Sequence, residues 1–165
     1  MAHPRVTVVT TAHAAIGTGH LRRCLALAEA VQQAGGRTRF LVYEGDPTLR
    51  EWVRPFDEQA VMEPALGLEQ ALELVAPGMP VVVDSYAVTA AHLQRLLDRG
   101  ARVLVVDDLV DRPLPATWLL NSCVIDPAAY APLTRARLLL GPAHALLRPQ
   151  FAGLPAHAHH PVVSR

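Results

Sequence analysis

Pro80-Val81-Val82-Val83-Asp84-Ser85-Tyr86 is the stretch that decides the fold. Three β-branched residues in a row, followed at once by polar ones, read as a strand apolar on both faces rather than one face of a helix. Two further runs repeat the pattern. Val6, Val8 and Val9 precede a polar and glycine-bearing loop over residues 10–19, and Val103 to Val106 runs directly into Asp107-Asp108. Arg39 to Tyr43 reads as another strand, ended by the turn Glu44-Gly45-Asp46-Pro47, and Trp118 to Leu120 and Arg137 to Leu140 as two short ones.

Between these runs the apolar spacing changes to that of helices. His20 to Ala34 carries Leu21, Cys24, Leu25, Ala28 and Val31 on one face and stops at Gly35-Gly36. Leu66 to Val75 reads as helix up to Pro77-Gly78. Thr89 to Arg99 does the same, with Leu93, Leu96 and Leu97 inward and Gly100 as its stop. Residues 48–66 have no clear period; Trp52, Phe56 and Val61 are expected to anchor a short helix or strand against the sheet. The alternation predicts an α/β fold with a Rossmann-like parallel sheet and helices on both faces. In such sheets ligands sit beyond the carboxyl ends of the strands, near a switch in strand order. The loop 17–20, Asp84-Ser85-Tyr86, Asp107-Asp108 and Asn121 all fall at such ends, so a shared rim is expected.

Composition narrows the partners. Of 165 residues 51% are hydrophobic and 18% charged, the formal net charge is zero, and every basic residue is arginine. A phosphate-backbone reader needs a basic field, so no nucleic acid is expected. No apolar run approaches the roughly 18 residues of a membrane helix. Without a signal-peptide pattern the expected location is the cytoplasm. Cys24 and Cys123 do not make a disulfide framework, and Cys24 is expected in the core. Residues 1–150 read as one domain. Residues 151–165, with Pro155, Pro161 and the histidines His157, His159 and His160, read as a linker or frayed tail.

Ile16-Gly17-Thr18-Gly19-His20 opens the first helix, where glycines admit close approach and unpaired amides suit an anion. It is not the dinucleotide fingerprint, since Arg22 stands where the third glycine belongs, and a chain without lysine has no P-loop. His20 reads as a neutral general base, its cationic form disfavoured by the helix dipole, or as an ordinary histidine bonding within its loop. Asp84 reads as an acceptor for a histidine or a sugar hydroxyl, or as a cap. Tyr86 reads as a ligand contact or an aromatic at the edge of the core. Asp107 and Asp108 point to opposite faces if the strand continues, so one is expected to fix the loop through Arg112. Arg22 and Arg23 sit in a helical turn unfavourable to cations, which a phosphate or an acidic neighbour would offset; simple exposure is the other reading. In Gly141 to Arg148, Leu146 and Leu147 read as core and Arg148 as a partner for a carboxylate near the rim. Asp84 with Asp107 lacks a third metal ligand, and no metal is expected.

Ile16 to His20, Arg23-Cys24-Leu25-Ala26-Leu27-Ala28, Val83-Asp84-Ser85-Tyr86, Val105-Val106-Asp107-Asp108-Leu109, Leu119-Leu120-Asn121 with Tyr130, Leu139 to Pro142 and Ala145 to Phe151 stand in one order along the chain. In this the sequence resembles the amino-terminal half of the nucleotide-sugar hydrolases of pseudaminic acid synthesis and their spore-coat-polysaccharide relatives. The resemblance implies the amino-terminal domain of a GT-B fold, with a carboxyl-terminal nucleotide-binding domain absent from this chain. It implies removal of UDP from a diacetamido-trideoxy sugar by water attack at the anomeric carbon, with inversion and neither metal nor cofactor. His20 would be the general base, and Gly17, Gly19, Arg23, Asp84, Tyr86 and Asn121 would contact the substrate. Val9, Thr11 and His13 stand where relatives carry arginine, aspartate and serine, His144 where they carry tyrosine, and Gln150 where they carry glutamate. The alternative is a glycosyltransferase-like domain that binds an acceptor or serves no catalysis. Either reading leaves a cleft wall for self-association or for a complementary carboxyl-terminal domain.

Overall fold

A computed structural model describes residues 5–124 and 126–151; the histidines His157, His159 and His160 lie outside the described residues. Seven parallel strands form one sheet: β1 (Arg5–Thr11), β2 (Arg37–Tyr43), β3 (Val61–Glu63), β4 (Pro80–Asp84), β5 (Arg102–Val106), β6 (Trp118–Asn121) and β7 (Arg137–Leu140), in the order β3-β2-β1-β4-β5-β6-β7. The order reverses between β1 and β4. In parallel sheets the loops leaving the two strands at such a reversal diverge to opposite sides, which makes the carboxyl ends of β1 and β4 the place to look for a site.

The valine runs form strands because both of their faces are covered. Val8, Val82, Val106 and Leu120 pack with Leu21, Cys24 and Ala28 of α1 (Gly19–Gln33) and with Val53 of α2 (Arg50–Val53). Val9, Val83, Val105 and Leu119 pack on the other face with Leu72 of α3 (Leu68–Glu73) and Leu93 and Leu96 of α4 (Ala90–Asp98). The chain is therefore a mixed α/β protein with a Rossmann-like parallel sheet flanked by helices. Asp84 continues the register of Val82 and so emerges on the face of α1, a consequence of strand alternation.

Both longer helices end as their glycines direct. Gly35 (φ 76°) and Gly100 (φ 78°) take the left-handed conformation. The amides of Gly36 and Ala101 then bond back to the carbonyls of Val31 and Leu96. Thr89 caps α4, its hydroxyl accepting from the His92 amide. The aperiodic segment resolves into a 3-10 turn at Pro47–Leu49, the short α2 and the three-residue edge strand β3. The third helix is shorter than its apolar pattern suggests. Leu147 corrects another expectation: it is 66% exposed, while Leu146 packs against the α1 face. The chain there runs along the surface between two 3-10 turns, Pro142–His144 and Pro149–Phe151, so a leucine pair has no second layer to enter.

Candidate functional site

The loop after β1 and the loop after β4 meet at the carboxyl ends of these two strands. Gly17 (φ 82°) occupies a backbone conformation that side chains rarely adopt, and its amide closes a turn on the His13 carbonyl at 2.7 Å. At Gly19 neither strain nor crowding demands glycine, since a Cβ there would meet nothing within 4 Å. Thr18 is the N-cap residue of α1 without a side-chain capping bond, and no acidic residue lies in the first turn.

His20, in the first turn of α1, is buried. Its Nδ1 lies 2.6 Å from Oδ1 of Asp84, whose side chain is fully buried. A carboxylate only accepts, so Nδ1 is the donor in this contact and Nε2 is the ring nitrogen left over. Nε2 has no partner among the described residues. At closer range than the start of the helix, the Asp84 carboxylate fixes which ring nitrogen donates. The Tyr86 ring and the imidazole meet in a T-shaped arrangement, with centroids 4.5 Å apart and planes at 77°.

Arg23, one turn along, completes the cluster. It donates from Nε and Nη2 to the two oxygens of Asp84 at 2.5 and 2.6 Å, and from Nη1 to Oδ2 of Asp108 at 3.0 Å. Two donors converge on Asp84 Oδ1, which explains the 3.0 Å approach of Arg23 Nη2 to His20 Nδ1. Burial works against the Arg23 charge, but the bonds and charges of Asp84, then those of Asp108, outweigh it and push its pKa up. Burial likewise opposes the Asp108 charge, and Arg23 followed by the Tyr86 hydroxyl, which donates at 3.0 Å, holds its carboxyl below the usual range. The Tyr86 phenol is pushed up, by burial and then by Asp108. Of the readings of Arg23, the structure shows acidic neighbours, Asp84 and Asp108. Its neighbour Arg22 turns away, bonding Thr18 Oγ1 at 3.2 Å and stacking 4.6 Å from the Trp52 ring centre.

Asp107 and Asp108 diverge as strand alternation requires. Oδ2 of Asp107 accepts from the Val110 amide at 3.0 Å and from the Tyr130 hydroxyl at 2.7 Å, and Oδ1 lies 3.5 Å from Arg112 Nη1. Asp107 is the loop-fixing member of the pair, holding Val110 at φ 57°, a costly conformation for a β-branched residue. Asn121 belongs to this second network. Its amide donates to Tyr130 at 2.8 Å, and its carbonyl oxygen accepts from the amides of Cys123 and Val124. The structure therefore brings His20, Arg23, Asp84 and Tyr86 together beside the loop of Gly17 and Gly19, and occupies Asn121 elsewhere. It adds Asp108, whose contact with Arg23 sequence spacing alone does not reveal.

The site is a shelf open to solvent. Tyr86 is 45% exposed, and Ile16 and Leu109, flanking Gly17 and Asp108 in the chain, are 41% and 45% exposed. Surface grooves lie elsewhere on the described residues. One of about 450 Å³ runs between α1 and Trp52, and one of about 520 Å³ lies by Arg5, Arg37 and Arg39. Among the described residues no group of three or more His, Cys, Asp or Glu side chains is placed to hold a metal ion. None of their helices is long and apolar enough to cross a membrane.

No protein-family model matches the chain, and no curated protein matches it significantly.

Proposed function

We propose that this chain is the amino-terminal, GT-B-type lobe of a nucleotide-sugar hydrolase acting on a UDP-sugar, with His20 as general base. The observation that carries the reading is the His20–Asp84 pair at the strand-order switch, with Nε2 unpaired beside a glycine loop. In the proposed reaction Nε2 takes a proton from water as the oxygen attacks the anomeric carbon. The bond from that carbon to the diphosphate oxygen breaks, UDP leaves with the electron pair, and the sugar inverts. Asp84 keeps Nδ1 protonated and offsets the charge that the ring acquires. UDP is a stable anion and needs little protonation to leave.

The diphosphate needs a cationic or amide clamp as its charge develops. Arg23 is engaged by two carboxylates, so the first-turn amides of α1 are what this lobe offers. A second nucleotide-binding lobe facing the site is accordingly part of the proposal. Turnover by this chain alone is expected to be negligible. The test is UDP release from a panel of UDP-sugars, with and without a separately supplied carboxyl-terminal lobe. Release that needs both lobes and disappears in His20→Ala is the expected result. Rapid release by the isolated chain refutes the need for a clamp, and release unaffected by His20→Ala refutes the base. One observation favours a second reading: the exposed Tyr86 ring beside the base offers a stacking surface for an acceptor sugar. A glycosyltransferase would use the same nitrogen on an acceptor hydroxyl, and would form a glycoside in place of free sugar.

A further inference from the structure

We infer that Asp108 is a positioning residue of this site, holding the Tyr86 ring against His20 and steadying Arg23 on Asp84. The inference rests on the reading of His20 as the base. One oxygen of Asp108, Oδ2, accepts from both Tyr86 and Arg23 at 3.0 Å, while Oδ1 is buried and has no partner among the described residues. A carboxylate placed for its own solvation would not leave an oxygen in that state. Its position is set instead by the two groups it holds.

Neither contact is explained by stability alone. Arg23 already has a bidentate partner in Asp84, and Tyr86 is too exposed for its hydroxyl bond to secure a core. What the Tyr86 bond fixes is the place of the ring, 4.5 Å from the imidazole. The backbone delivers Asp108 to this face because its neighbour Asp107 is anchored on the other, to Tyr130 and to the strained Val110. With the hydroxyl bond cut, Tyr86 is free to leave the imidazole, and the water-accepting nitrogen loses a wall that orients it. Misplacement of this kind costs roughly 10- to 100-fold in turnover.

The experiment compares Asp108→Asn, Tyr86→Phe, the double variant and Asp108→Glu in the full chain. Turnover is read with the second lobe supplied, and the His20 ring-proton shifts are read by NMR in the chain alone. Tyr86→Phe keeps the ring and lies on an exposed side chain, so it guards against a mere failure to fold. The expected result is that Asp108→Asn and Tyr86→Phe each lower kcat with KM little changed. Both are expected to move the His20 resonances alike, the double variant to be no worse than either, and Asp108→Glu to recover part of the loss. Unchanged His20 resonances and kcat in both single variants overturn the inference, as do losses that multiply in the double. If wild-type protein releases no UDP yet the resonances move together, the hydrolase reading fails while the positioning stands. If His20→Ala abolishes release and neither single variant alters either readout, the reverse holds.

Discussion

Replacing Asp84 by asparagine tests the buried node on which the site is built. The carboxylate is fully buried and accepts from Arg23 twice, from His20 and, at 3.6 Å, from the Cys24 thiol. Asparagine keeps the shape, removes the charge and turns an amide donor toward other donors. Breaking a buried ion pair costs about 3–5 kcal/mol. The Arg23 side chain is 24% exposed and retains Asp108, so the low end, about 3 kcal/mol, is expected here. For a chain of this size that lowers Tm by roughly 6–12 °C. With a slope near 2 kcal/mol per molar it shifts the urea midpoint down by about 1.5 M. Arg23→Met should cost more, because it strands a carboxylate that has no access to water. The pair Arg23→Met with Asp84→Leu should regain much of the loss, since both desolvation penalties vanish together. Urea titrations of the four proteins at pH 7 decide the matter. An Asp84→Asn variant within about 1 kcal/mol of wild type, or a double variant no better than Arg23→Met, refutes the reasoning.

Two further outcomes follow from the same network and its surroundings. Burial, followed by Asp107, raises the Tyr130 phenol above its ordinary value, against the opposing Asn121 amide. A raised pKa in the folded state means the associated stability is complete below the unfolded value near 10 and is lost as pH climbs beyond it. The urea midpoint should therefore fall above pH 10. Tyr130→Phe should show less of that fall, after losing about 1–3 kcal/mol at pH 7 for the stranded Asn121 amide. The Cys24 thiol is pushed well up by burial, then by Asp84, whereas Cys123 is exposed. A thiol reagent should label one cysteine in the native protein and both in denaturant; rapid native labelling of Cys24 contradicts the packing beneath Asp84.

Much of this arrangement is legible in the amino-acid sequence. Continuous valine runs ending in aspartates mark parallel strands, and ligand chemistry in such sheets gathers at their carboxyl ends, so His20, Asp84 and Tyr86 could be nominated together. Alternation also announces that Asp107 and Asp108 part ways. Which of them faces α1 depends on the pairing of Asp84 with Val106, a long-range register that a local pattern does not encode. The same holds for Arg23, whose role requires knowing that two distant strand ends lie beside one helical turn. Asn121 sits at a strand end like the others, and its amide is claimed by Tyr130, nine residues on in an aperiodic loop. Residues 48–66 were opaque because a three-residue edge strand and a single helical turn are shorter than the period that would reveal them.

The most direct test is the placement of one proton. Long-range nitrogen–proton NMR of His20, at a pH where its ring is neutral, reports which nitrogen carries hydrogen. Nδ1 protonated and Nε2 bare is the predicted result, with Asp84→Asn disturbing that preference. A ring protonated on Nε2, its lone pair turned inward toward Asp84 and Arg23, would leave no nitrogen free to accept a proton from water and contradict the account.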